Sequence, residues 1–361
     1  MKNIVLCCDG TNNQFAGDDT NVLRLYRVTA KLPGRQIAFY DPGVGTMSDS
    51  RYRSQIGKRW SMVKGLAFGA GFMDNISDAY RFLMHHYEPG DQVYLLGFSR
   101  GAFTARAVAA LLHAAGLLDP GTENLLPYAI GYWLRAKTKD GVKLCAEFKA
   151  TLARECKPRF IGVWDTVGSV GFINYFRTFP FTQHNPSVAT VRHAVSLDER
   201  RAGFRHNLMD KVSENHTQDI RNVWFPGVHS DVGGGYPIGE SRLAMVAFEW
   251  MVREAARAGL MIDEIAYARE QAGCPADPTG PIHRSLKGAW WLVEGLPRRI
   301  YSYRDQRRHW RFDPNKPRYV REGSTLHASV LERLAKVNEY APVNLGTRDA
   351  AELTKRFLIE T

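Results

Sequence analysis

Residues 97–101, Gly97-Phe98-Ser99-Arg100-Gly101, read G-x-S-x-G. A serine hydroxyl set between two glycines can act as a nucleophile when the chain turns sharply beneath it. The glycines remove the side chains that would collide in such a turn. The flanking sequence fits that use. Gln92 to Gly97 is an apolar strand, and Arg100 to Ala115 is rich in alanine and leucine and ends at Gly116, as a helix would. Strand, turn and helix would lift Ser99 to the C-terminal edge of a sheet, where the helix N-terminus favours developing negative charge. The plainer reading is a strand–helix turn that happens to contain a serine.

A hydroxyl is a poor nucleophile at neutral pH, so it needs a base and a residue to orient that base. In the chain order Ser, acid, His, Asp165 follows the apolar run Phe160 to Trp164, and His229 follows Val223 to Val228. Both fall at expected strand C-terminal ends, where open α/β sheets bind ligands. Asp165 would fix the imidazole tautomer and His229 would take the Ser99 proton. His193, His206 and His327 compete as the base, and Asp198, Glu199 and Asp231 as the acid. Asp231, two residues past His229, is expected to shape that loop or contact substrate. An oxyanion hole needs two backbone N–H donors. Arg100 would give one, and Gly10 or Thr11, in the loop Asp9-Gly10-Thr11, the other. The plainer reading of Asp9 and Thr11 is that they cap a turn. Asp9, Asp165, His229 and Asp231 could alternatively hold a divalent ion, although no tight ligand spacing supports this. No P-loop and no G-x-G-x-x-G occurs, so no nucleotide cofactor is expected.

The elements that must position these residues alternate in type. Strands are expected at Asn3 to Cys8, Gln36 to Tyr40, Gln92 to Gly97, Arg159 to Trp164 and Ile220 to Phe225. Helices are expected near Gly71 to Tyr87, Arg100 to Ala115, twice before Pro158, at Ser241 to Ala258 and at Ser324 to Asn338. The predicted class is therefore α/β, an α/β-hydrolase-like, mostly parallel sheet flanked by helices. One domain over 1–361 is expected, with a catalytic core of about 1–258 and a C-terminal extension of about 259–361.

The 361 residues are 44% hydrophobic and 24% charged, ordinary for a globular protein with a sizeable core. Five cysteines, with no C-x-x-C, give neither a disulfide framework nor a zinc pattern and read as reduced thiols. The N-terminal apolar run ends too early, at Asp9, for a secretory signal, and no stretch is apolar enough to span a membrane. A cytoplasmic origin is expected, with export by a signal-independent route left open. The net charge of +11 favours anionic partners. Residues 296–321 concentrate that charge, with nine Arg/Lys against two Asp and five interleaved aromatics. Arg298, Arg299, Arg304, Arg307, Arg308, Arg311, Lys316, Arg318 and Arg321 could hold anionic headgroups of a membrane surface. Equally, they could form a solvated face with their stems packed on the core. No recognised nucleic-acid-binding motif occurs, so nucleic acid is not an expected partner.

Taken together, the motifs Cys8-Asp9-Gly10-Thr11-Asn12-Asn13, Gly97-Phe98-Ser99-Arg100-Gly101-Ala102, Val163-Trp164-Asp165-Thr166-Val167-Gly168, Ser196-Leu197-Asp198-Glu199-Arg200 and Phe225 to Gly234 resemble the type VI lipase effector family 1. The resemblance spans residues 1 to about 250. It implies an α/β-hydrolase phospholipase domain whose Ser–Asp–His triad falls on Ser99, Asp165 and His229. It also implies hydrolysis of phospholipid acyl esters of the A1 or A2 kind. A secretion machine or an immunity protein enters as a partner on the same ground. A serine esterase on a small soluble ester, or a non-catalytic protein binding acidic lipid or nucleic acid, stands as the alternative.

Overall fold

Alternate side chains along the central strands feed two separate cores, the signature of a sheet covered on both faces. In β1 (Asn3–Cys8), Ile4 and Leu6 enter one core while Val5 and Cys7 enter the other. A computed structural model describes residues 1–10, 19–43, 66–167, 179–211, 217–288, 290–294, 298–302, 307–311 and 314–361. Its further strands are β2 (Gln36–Asp41), β3 (Gln92–Phe98), β4 (Leu117–Leu118), β5 (Ala153–Arg154), β6 (Pro158–Trp164), β7 (Thr190–Ser196), β8 (Asp219–Phe225), β9 (Arg298–Ser302), β10 (Arg307–Arg311), β11 (Thr325–His327) and β12 (Leu358–Glu360). Eight of them form one sheet in the order β12-β11-β8-β7-β6-β3-β1-β2. Every neighbouring pair in it is parallel. The small pairs β4–β5 and β9–β10 are antiparallel.

Helices Leu66–His86, Arg100–Ala115, Leu126–Arg135 and Lys139–Leu152 cover one face. Helices Asn21–Val28, Arg242–Arg257 and Glu264–Gly273 cover the other. The expected α/β class is therefore the observed one, with a sheet that is parallel throughout. Because all eight strands run the same way, their C-terminal ends share one edge, and the loops that carry Asp9, Ser99, Asp165 and His229 all leave from it.

Two expectations need correction. Residues 324–338 do not form one helix: β11 opens the segment and the helix is Ala328–Lys336. Thr190–Ser196, not read as an element from sequence, is the strand β7 between β6 and β8. Its Arg192 and His193 give it a polar look, yet both are buried with partners: Arg192 meets Glu254 and Asp219 at 2.5 Å each. The extension after residue 258 also supplies β11 and β12 to the main sheet. All five cysteines are buried free thiols. Among the described residues no helix is long and apolar enough to cross a membrane.

The glycines of the 97–101 turn answer to close packing. A Cβ on Gly101 would lie 2.1 Å from the Cys8 carbonyl oxygen and 2.4 Å from that of Asp9. One on Gly97 would lie 2.5 Å from the Gly101 carbonyl oxygen. The helix can sit on the end of β1 only because these side chains are missing. Gly101→Ala is therefore expected to cost about 3 kcal/mol or more, since backbone must move. Gly131→Ala, in a helix where a Cβ meets nothing within 4 Å, should be neutral or stabilising by up to about 1 kcal/mol. Denaturant unfolding of both variants checks the contrast, and equal stabilities would refute it.

Candidate active site

β3 delivers Ser99 in the left-handed region at φ 58° and ψ −117°, directly before the Arg100–Ala115 helix. Among the described residues only four non-glycines have positive φ, and Ser99 and Asp165 are two of them. Strain of this kind persists only where surrounding structure fixes it. Here the sheet does so: Ser99 N–H donates to Trp164 O at 3.1 Å, and Asp165 N–H to Ala194 O at 2.7 Å.

Asp165 is fully buried at the end of β6. Its Oδ1 accepts from Ser196 N–H at 2.9 Å and from an Arg318 Nη1 donor at 2.5 Å. Its Oδ2 accepts from Arg318 Nη2 at 3.0 Å and meets His229 Nδ1 at 2.5 Å. Burial alone would raise the carboxyl pKa, but the Arg318 charge, with the His229 and Arg318 hydrogen bonds, holds it far below the usual carboxylate range. Asp165 is therefore ionised and can only accept. The proton must then sit on His229 Nδ1, which leaves Nε2 with its lone pair.

His229 begins the short His229–Gly233 helix after β8. Its imidazole lies between Phe98, 4.6 Å away, and Phe204, 4.8 Å away in edge contact. Burial pushes its pKa below the ordinary value, with the Asp165 bond opposing. The ring is consequently neutral near pH 7. No hydrogen bond joins Ser99 Oγ to His229 among the described residues; what is adjacent is Phe98, the residue before Ser99.

The competing residues have other occupations. His193 Nε2 accepts from Thr166 N–H at 3.1 Å while Nδ1 faces Asn222 Oδ1, so it braces the turn after Asp165. Its burial lowers its pKa to about 3. His206 is buried edge-on to Trp224. His327 caps the Ala328–Lys336 helix, accepting from Ser329 N–H at 3.2 Å, and stacks on Phe225. Glu199 accepts from His229 N–H and from Arg201. Asp198 takes Gly227 N–H at 2.7 Å and Tyr340 O–H at 2.9 Å. Asp231 accepts from Val228 N–H and meets His283 Nδ1 at 2.6 Å. Asp9 accepts from Thr20 O–H, Tyr40 O–H and Gly10 N–H. Of the four residues weighed as a cation site, Asp165 and His229 meet each other, while Asp9 and Asp231 turn to other partners.

The oxyanion donors divide three ways. Arg100 opens its helix directly after Ser99. Gly10 N–H already donates to Asp9 Oδ1 at 2.6 Å. Thr11 lies outside the described residues, as does Gly168.

The basic stretch requires a correction. Arg318, read as one of nine surface cations, is fully buried on Asp165. A sequence window shows its charge but not the carboxylate it meets, 153 residues away. Tyr319 is exposed and Lys316 and Arg321 are exposed. The side chains of Arg298, Arg299, Arg304, Arg307, Arg308 and Arg311 lie outside the described set.

A family model described as T6SS, Phospholipase effector Tle1-like, catalytic domain matches residues 2–254. An uncharacterized protein of Saccharomyces cerevisiae is 39% identical over an alignment of 220 residues, which covers 56% of this chain and 32% of that protein. The crystal structure of an uncharacterized protein from Pseudomonas aeruginosa aligns at a TM-score of 0.43 and 20% identity, covering 76% of this chain and 49% of that one. The Tle1 effector bound to the VgrG spike of the type 6 secretion system aligns at 0.39 and 21%, covering 67% and 52%. The chain thus spans 32% to 52% of the length of these relatives.

The Asp231–His283 pair yields a test. Burial lowers the His283 pKa, but hydrogen bonds to Glu240 and Asp231 outweigh it and leave the pKa above the ordinary value. Asp231→Asn removes one anionic acceptor, so the His283 imidazole should titrate at lower pH than in the wild type. NMR titration reads this directly, and an unchanged midpoint would show that Asp231 does not support the imidazolium.

Proposed function

The chain belongs to the family of Tle1-like phospholipase effector catalytic domains of the type VI secretion system, and we propose that it is a serine hydrolase of phospholipid acyl esters, of the A1 or A2 kind. The observation that carries this reading is the Asp165–His229 hydrogen bond, 2.5 Å long, at the same sheet edge as the strained Ser99 turn.

In the proposed reaction His229 Nε2 takes the Ser99 proton as Oγ attacks the ester carbonyl carbon. Negative charge collects on the carbonyl oxygen, where the Arg100 N–H and the helix N-terminus stabilise it. The tetrahedral species collapses, the C–O bond to the lysophospholipid breaks, and the imidazolium returns its proton to that leaving oxygen. Water, deprotonated by the same imidazole, then attacks the acyl carbon, the bond to Ser99 Oγ breaks, and the imidazolium returns the proton to Oγ as the fatty acid leaves. Asp165 keeps Nδ1 protonated and stabilises the transient imidazolium without itself taking the proton.

A lipid substrate is favoured over a soluble ester by the rim. Phe204, in contact with His229, meets Trp290 at 5.4 Å, and Trp290 and Trp291 are 38% and 50% exposed. Exposed tryptophans settle at bilayer interfaces.

Fatty-acid release from mixed phospholipid liposomes tests the reaction. Ser99→Ala should lower the rate by roughly three orders of magnitude or more. No release by the wild type, or equal release by both proteins, would overturn the reading. Trp291→Ala should lower the ratio of liposome to soluble-ester turnover; an unchanged ratio favours the soluble ester. The acid limb of kcat/KM should have its midpoint below pH 6.5, because burial lowers the His229 pKa from that value. A midpoint above it would remove His229 as the buried base.

A further inference from the structure

Arg318 lies beyond residue 254, where the family match ends. We propose that Arg318 is a positioning residue for the reaction: its guanidinium clamps Asp165 in place against His229, so the segment after the family match completes the active site. This rests on the Ser–His–Asp reading given above.

The contact is two-pronged. Nη1 and Nη2 take different oxygens of Asp165, at 2.5 and 3.0 Å, which fixes the plane of the carboxylate. The guanidinium is itself held. Nη1 also donates to Ser196 O at 2.9 Å and to Ser196 Oγ at 2.7 Å, and Nη2 donates to Phe204 O. The same arginine thereby fixes Phe204, which forms one wall of the His229 pocket. The backbone leading to it is tied by Arg205, whose Nη1 donates to Lys316 O at 2.9 Å and Pro317 O at 3.3 Å. Alternation does the rest: Arg318 and Val320 point inward, while Tyr319 and Arg321 are exposed. Val320 packs in the third apolar cluster with Leu326 and Val330.

Charge gives the clamp a second consequence. The charged groups acting on His229 are Asp165 and Glu199, which favour its proton, and Arg201, which opposes it. Arg318 acts one step back, by neutralising Asp165. Were Asp165 paired with His229 alone, the buried carboxylate would draw a proton onto the imidazole at rest. A protonated imidazole cannot serve as the base. Lysine would keep the charge but lose the planar fork.

The test compares wild type, Arg318→Gln, Arg318→Lys and Asp165→Asn with and without Arg318→Gln. It reads the His229 pKa by NMR titration without substrate, and kcat and KM on a soluble nitrophenyl ester. Circular dichroism confirms folding. Arg318→Gln should raise the His229 pKa by about one unit or more. Its kcat should fall by about tenfold or more, with KM changed by less than about twofold. Arg318→Lys should leave the pKa near its wild-type position while kcat falls. In the Asp165→Asn background, Arg318→Gln should cost less than it does alone, because the carboxylate it clamps is gone while its bonds to Ser196 and Phe204 remain to be lost. A folded Arg318→Gln with unmoved pKa and kcat would overturn the proposal. If that variant does not fold, wild-type kcat in Arg318→Lys would overturn it. A wild type inactive on every ester would defeat the hydrolase reading instead, and the NMR titration would still decide whether Arg318 sets the state of His229.

Discussion

A carboxylate with no access to water lies where three distant parts of the chain meet. Taking an ion out of water costs several kcal/mol unless charge and hydrogen bonds replace the lost solvent. Asp165 meets that condition with Ser196 N–H, both Arg318 Nη groups and His229 Nδ1. These donors come from the end of β7, from the C-terminal segment and from the loop after β8. Remove one, and the others are left facing a charge they no longer balance. The geometry of His229 follows from this anchor. Its tautomer is set by an acceptor-only neighbour, and its ring plane is set by Phe98 and Phe204.

The parallel sheet makes the convergence affordable in geometry. Seven strand connections return each chain direction to the same edge, so residues far apart in sequence end side by side. β3 and β6 are direct neighbours, with Phe98 opposite Trp164. The next residues, Ser99 and Asp165, therefore leave the sheet together, both in left-handed backbone. β7 and β8 follow in register, Ser196 opposite Phe225. The amide of Ser196 and the loop of His229 thus arrive on the far side of Asp165. Small residues complete the approach: without side chains at Gly97 and Gly101, the helix after Ser99 can rest against β1.

Much of this was legible in the sequence, and what was not has a physical cause. Ser99, Asp165 and His229 stand at the ends of apolar runs, a local signal that a strand end leaves in sequence. The central strands and their covering helices are legible for the same reason. β7 was hidden because Arg192 and His193 look like surface residues until their buried partners are known. β11 and β12, three residues each, are too short to show a period. Arg318 is indistinguishable from its basic neighbours in sequence, because sequence records charge and not burial. The Gly10 amide has the sequence context of an oxyanion donor, and only the fold shows it already engaged by Asp9.

The charges around His229 form two nested pairs. Asp165 with Arg318 makes one, and Glu199 with Arg201 makes the other. Within each pair the cation offsets the anion, and burial outweighs the Asp165 bond, so the His229 pKa stays below its ordinary value. Up close the pairs are not symmetric. The Asp165 oxygen touches Nδ1, while the Arg318 charge sits beyond the carboxylate. An imidazolium formed during reaction would therefore meet the nearer negative end first. An imidazole that is neutral at rest, yet supported once it takes a proton, fits this order of charges, and three of the four residues that create it precede residue 254 while the fourth, Arg318, follows it.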